Sequence, residues 1–360
     1  QASGFGSMIS FTVTDFALAE KVLKRVRLIT FAESLGGVET LITHPGRQTH
    51  ADIPEAKSSI EWQDQDTLLI ATDWGNEAGD KPTLTESGYP FVVKRVRRGA
   101  PLESAVEVMR GQVEDVGVFV GDLEDVDGSR ILLAYEAETF FTTSFWRVRA
   151  DGVDRVTLPA KASPRALHKG HLIFTIEEAW NGYPQGALLA YPIADLTAAT
   201  PRAEVLYAPG ARESIEDVVA TRDAILVAGY ENVRGRVLRF AYDGRAWVQS
   251  HIELPANGAV GFAGAAPREE AAFALFEDFL TPSTLYALEE RATRARAVRS
   301  LPAQFDASPY ISEQFEAVSA DGTRVPYFVL RRRDAALNGQ NPTLLYGYGG
   351  FQVSMTPSYA

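Results

Sequence analysis

No cysteine occurs among the 360 residues, which excludes disulfides and thiolate metal sites. It is compatible with the cytoplasm and the periplasm alike and chooses neither. No apolar run approaches the roughly 18–20 residues that cross a bilayer as a helix, so no membrane partner is expected. The opening residues, Gln1 to Met8, show no basic stretch followed by an apolar core, so no signal peptide is expected. The chain does not begin with methionine, and its true start is expected to lie elsewhere. There is no large basic block, and the net charge is −12, which argues against nucleic acid as a partner. Neither H-E-x-x-H nor G-x-S-x-G occurs, so no zincin helix and no serine nucleophile elbow is present in these residues.

What is present is a globular composition, 46% hydrophobic and long enough for two or three domains. Phe5–Val13 alternates as a strand, a helix is expected from about Asp15 to Arg25, and Leu28–Phe31 reads as a second strand. This α+β piece ends near residue 55. Beyond it, short apolar, β-branched runs recur between D-G, N-G, G-S and proline turns. Thr67–Thr72, Arg130–Tyr135, His171–Ile176, Asp223–Ala228 and Ala271–Phe276 start 63, 41, 52 and 48 residues apart. Each is followed by further short strands, such as Gly235–Tyr242, a turn at Asp243-Gly244, and Ala246–Glu253. A period of about 40–50 residues with about four strands per unit is that of a β-propeller.

After residue 310 the order changes again. Phe315–Ser319 and Thr323–Leu330 read as a hairpin about Asp321-Gly322. Thr343–Tyr346 reads as a short buried strand entering Y-G-Y-G-G-F at Tyr346–Phe351. Rings set among glycines make a poor core segment but a good site rim, where a phenol O–H can donate to something bound. Elsewhere the candidates are weaker. His168 and His171, in H-K-G-H, read as a turn into a strand and not as metal ligands, because no carboxylate cluster accompanies them. Glu213, Glu216 and Asp217 read as a solvated face, Arg291–Val298 as an exposed strand, and Ser87 and Ser129 as turn residues.

Two resemblances organise these pieces. Residues 55–360 resemble the prolyl oligopeptidase family of serine peptidases. The matching stretches are Pro54–Ser58, Trp62–Ile70, Leu84–Phe91, Arg97–Leu102, Asp278–Tyr286 and Tyr346–Phe351. The resemblance implies an incomplete β-propeller of about five blades over 56–310, then the first strands of an α/β-hydrolase domain over 311–360. It implies Tyr348 as donor of an O–H to the oxyanion and Phe351 as part of the proline-accepting pocket. The implied reaction is hydrolysis of short peptides after proline, with the propeller gating access and no cofactor. The Ser/Asp/His triad is not in these residues, so the chain alone is expected to be inactive. The missing catalytic domain would be its natural intramolecular partner.

Residues 4–54 resemble the C-terminal domain of trans-sulfuration enzymes that use pyridoxal phosphate, of the cystathionine γ-synthase and γ-lyase type. The match lies in Gly4–Phe11, Ala32–Pro45 and Thr49–Pro54. It maps Ser34 near a substrate carboxylate, but the Schiff-base lysine is absent, so Ser34, His44 and His50 read as turn and surface residues of a remnant. The expected whole is a soluble fragment, a chimera of two truncated coding sequences. A pyridoxal-phosphate enzyme and a non-catalytic propeller serving as an interaction platform are the alternatives.

Overall fold

The computed structural model describes residues 30–31, 41–42, 58–75, 82–200, 202–289, 293–348 and 355–359. The chain divides into two compact units, Gln1–Glu55 and Ala56–Ala360. In the first, β1 (Thr30–Phe31) pairs in parallel with β2 (Leu41–Ile42). The expected Phe5–Val13 strand and the helix after it lie outside the described residues.

The second unit is built from antiparallel sheets, with only two short 3-10 turns, Leu102–Ser104 and Ile193–Asp195, among the described residues. Sheet I contains β3 (Ser59–Trp62), β4 (Thr67–Ala71), β5 (Val92–Arg97) and β6 (Val106–Arg110). Sheet II contains β7 (Gly117–Glu124), β8 (Arg130–Ala137), β9 (Thr143–Arg149) and β10 (Gly152–Arg155). Sheet III contains β11 (Ala162–His168), β12 (His171–Ile176), β13 (Leu188–Pro192) and β14 (Glu204–Tyr207). Sheet IV contains β15 (Glu213–Ala220), β16 (Ile225–Glu231), β17 (Arg234–Tyr242) and β18 (Trp247–Ile252). Sheet V contains β19 (Ala259–Gly264), β20 (Ala272–Glu277), β21 (Thr284–Leu288) and β22 (Arg296–Ser300). Every sheet is a meander in chain order, and the first strands β3, β7, β11, β15 and β19 lie each beside the next.

The five recurring apolar runs are the second strands of these five sheets, β4, β8, β12, β16 and β20. Side chains of a strand alternate between faces, so a strand buried on both faces is apolar nearly throughout. That is how these strands are used. Leu132 and Ala134 of β8 pack toward Leu69 and Ala71 of sheet I. Ile131 and Leu133 of the same strand pack toward Leu172 and Phe174 of sheet III. Ile173 then meets Ile225 and Val227 of sheet IV, and Leu226 and Ala228 meet Ala272, Ala274 and Phe276 of sheet V. Each fully buried leucine, isoleucine or phenylalanine in these seams contributes about 1.5–3 kcal/mol relative to exposure.

The C-terminal hairpin joins β23 (Tyr310–Val318) to β24 (Arg324–Arg332) through a turn at Gly322, whose φ is 85°. Both strands run longer than the sequence pattern indicates. Gln314 donates to the Asn232 carbonyl at 2.6 Å, Arg212 pairs with Glu316, and the Phe279 and Phe328 rings meet edge-on at 5.3 Å. Asn232 and Phe279 lie in the turns between second and third strands of sheets IV and V. The hairpin therefore sits at the end of those sheets opposite the turns between first and second strands.

Thr343–Tyr346 corrects the sequence reading. It belongs to no ladder, and Leu344 and Leu345 are 90% and 94% exposed. A strand is buried only when neighbours cover its faces, and the described residues supply none here. Of the exposed strand expected over Arg291–Val298, positions 296–298 fall in β22, which runs Arg296–Ser300 and is exposed throughout, 293–295 lie before it, and 291–292 lie outside the described residues.

Candidate functional site

Three places carry polar groups worth weighing as chemistry. The first is the Y-G-Y-G-G-F stretch. Tyr346 and Tyr348 are 77% and 51% exposed, and nothing lies within 4 Å of where a Cβ on Gly347 would stand. Phe351 lies outside the described residues, as do Ser34, His44 and His50. The structure thus leaves Tyr348 half open to solvent.

The second is a carboxyl pair between the first strands of sheets I and II. Glu61 of β3 faces Asp122 of β7, and the Arg130 Nε donates to Asp122 Oδ2 at 2.6 Å. Burial and then the Asp122 charge raise the Glu61 carboxyl above its ordinary range. Burial chiefly, with these two carboxylates, pushes the neighbouring Tyr135 phenol up to about 12. The same seam is pinned by the Val120 N–H donating to Ser59 Oγ at 2.8 Å. Sequence reading passed over this pair. The only local trace is that Asp122 and Arg130 flank one hairpin, and nothing in the pattern places Glu61 opposite them.

The third corrects the acidic run at Glu213. Its carboxylate is not simply solvated. Glu213 Oε2 accepts from the Tyr207 hydroxyl at 2.5 Å and the Gly210 N–H at 2.7 Å, and Oε1 accepts from Arg236 at 2.7 Å. The Gly210 N–H first, then the tyrosine, hold the Glu213 carboxyl below its ordinary range. Every partner is spent on structure, so the cluster reads as a tie between sheets III and IV.

The two histidines also part company. They face each other across the β11–β12 turn, His168↔His171. His171 lies edge-on to Tyr242 at 4.8 Å, while His168 is fully buried with neither ring nitrogen hydrogen-bonded. Among the described residues, no three His, Asp or Glu side chains are placed to hold a metal ion. Ser87 and Ser129 lie at turns.

A series of four-stranded meanders joined first strand to first strand is the architecture of a propeller-type scaffold. Comparison with known proteins specifies the kind. The chain is 33% identical over 320 residues to a protein of Sinorhizobium fredii named "Uncharacterized peptidase y4nA", covering 86% of this chain and 43% of that one. The solved structure of a post-proline cleaving enzyme from Rickettsia typhi superposes with a TM-score of 0.72 at 25% identity, covering 84% of this chain and 45% of that one. At the other end, residues 1–70 match the family model for Cys/Met metabolism PLP-dependent enzymes. Cystathionine γ-synthase of Haemophilus influenzae is 56% identical over 52 residues, 14% of each chain. Prolyl oligopeptidase-like relatives and structures therefore cover most of this chain, with a PLP-enzyme match at its N-terminus. The chain spans less than half the length of the peptidase relatives it matches.

Proposed function

We propose that these residues serve a serine peptidase that hydrolyses short peptides after proline, with sheets I–V as a five-blade propeller portion that gates access. Residues 311–360 are then the opening strands of the hydrolase domain, and the natural partner of the propeller is the rest of that domain. No cofactor takes part in this chemistry. The observation that carries the reading is the superposition on a post-proline cleaving enzyme over most of the chain, together with a 33% identical peptidase relative.

Within that reaction, the residue this chain supplies is Tyr348. A serine oxygen adds to the scissile carbonyl, and the carbonyl oxygen gains negative charge. A phenol positioned to donate to that oxygen strengthens its hydrogen bond as the charge develops, which lowers the barrier selectively. Phe351 lines the pocket for the proline ring. The serine, aspartate and histidine are supplied by residues outside this sequence.

In a protein containing these residues and a complete triad, Tyr348→Phe is expected to lower kcat on a Gly-Pro chromogenic peptide about 10²–10³-fold with little change in KM. An unchanged kcat would remove Tyr348 from the oxyanion site. The 360-residue chain alone is expected to give no turnover, and turnover abolished by Tyr348→Phe would contradict the reading of this chain as a portion without its nucleophile.

A further inference from the structure

The turns between first and second strands of the five sheets share one rim, because the sheets lie first strand beside first strand in the same sense. Several bonds on this rim join successive sheets. Asp125, after β7, accepts from the Lys169 and Gly170 N–H groups of sheet III, both at 2.6 Å. Arg222, after β15, donates its N–H to the Glu269 carbonyl of sheet V at 2.8 Å and pairs with Glu270.

One bond does not follow that order. Arg268, in the β19–β20 turn of sheet V, reaches Glu124 at the end of β7 in sheet II, with Nε 3.0 Å from Oε1. Its Nη1 also comes within 3.9 Å of where a Cβ on Gly128 would lie, in the β7–β8 turn. Sheets III and IV stand between these two in the series, so the pair bridges sheets that are not neighbours in it. The Arg268 side chain is 65% exposed and that of Glu124 31% exposed.

We propose that Arg268 and Glu124 form an ionic latch across this mouth of the ring, a specificity-determining element that narrows access for peptides on the rim remote from the C-terminal hairpin. This rests on the propeller reading above. An exposed pair shifts the closed-to-open ratio by at most about fivefold, so the latch is made to open. Because the charges are solvent-exposed, salt screens them, and the closed population falls as ionic strength rises.

The absence of native cysteine makes site-specific spin labelling direct. Labels at Ser129→Cys and Ala265→Cys report the span between the two turns. Labels at Gln65→Cys and Ser129→Cys report the neighbouring sheets I and II as a control. At low salt the spanning pair is expected to give one narrow distance distribution. It should broaden and lengthen at about 0.5 M salt and with Arg268→Glu, and narrow again when Glu124→Arg is combined with Arg268→Glu. The control pair should stay narrow throughout. A spanning distribution indifferent to salt and to both substitutions would overturn the latch while leaving the propeller reading intact. A control pair that is broad in every sample would overturn the propeller reading and the latch with it.

Discussion

His168 is the residue with most to say about stability. Its ring is wholly buried between sheets III and IV, 5.7 Å from the Trp247 ring, and neither nitrogen has a partner. Burial chiefly, with help from Lys169 and His171 and against Asp125 and Asp223, pushes the imidazole down to about 4 from an ordinary 6.5. The folded state therefore refuses a proton that the unfolded chain accepts once pH falls below about 6.5. Stability contributed by the neutral ring is complete above that value and is lost as pH drops toward 4. Replacing His168 with leucine should flatten the urea-unfolding free energy between pH 6.5 and 4 by about 2–3 kcal/mol relative to the unsubstituted chain. Equal pH slopes for the two would show that His168 titrates alike in both states. None of this is legible in H-K-G-H. The motif announces a turn, and which of its histidines is buried depends on a tryptophan nearly eighty positions away.

At the scale of the element, the seams between sheets decide stability. Phe276 of β20 is fully buried in the seam with sheet IV, and a Cβ on Gly258 would stand 2.2 Å from its Cζ. Phe276→Ala is expected to cost about 3–5 kcal/mol in urea unfolding. Gly258→Ala should also destabilise, because the Glu277 carbonyl lies 2.4 Å from the same point and backbone cannot move aside cheaply. The two changes should be less costly together than their sum, since truncating the ring relieves one clash that the new methyl creates. Strict additivity would mean that the glycine is required for the carbonyl alone. The second strands were legible because burial on both faces writes itself as an unbroken apolar run. Thr343–Tyr346 has the same composition, and its leucines are exposed. Apolar content marks a segment able to be buried, and only neighbouring strands make it so.

For the whole molecule, the division at residue 55 carries a prediction. Ala56–Ala360 forms a compact unit with its own four apolar seams. Expressed without the first 55 residues, it should keep a cooperative thermal transition within a few degrees of the full chain, by calorimetry and far-ultraviolet circular dichroism. Loss of that transition would mean that the first unit is needed for the second to fold. The two resemblances in the chain were legible from spaced motifs, and relatives of both kinds match it, with the PLP-enzyme family model at residues 1–70. The latch was not. Glu124 closes β7 before the turn D-V-D-G, and Arg268 sits in the turn P-R-E-E; nothing local to either names the other.

By itself, the sequence determined where the second strands of the five sheets form and that further short strands follow each of them. Alternation, β-branching and turn residues act within a few positions, so local patterns record them. The tertiary structure alone decided that Glu213 is held by Tyr207 and Arg236, that Arg212 grips Glu316 from 104 positions away, and that Leu344 and Leu345 lie open. Such pairings depend on how twisted sheets stack, and a charged side chain carries no local sign of the distant partner that packing will bring to it.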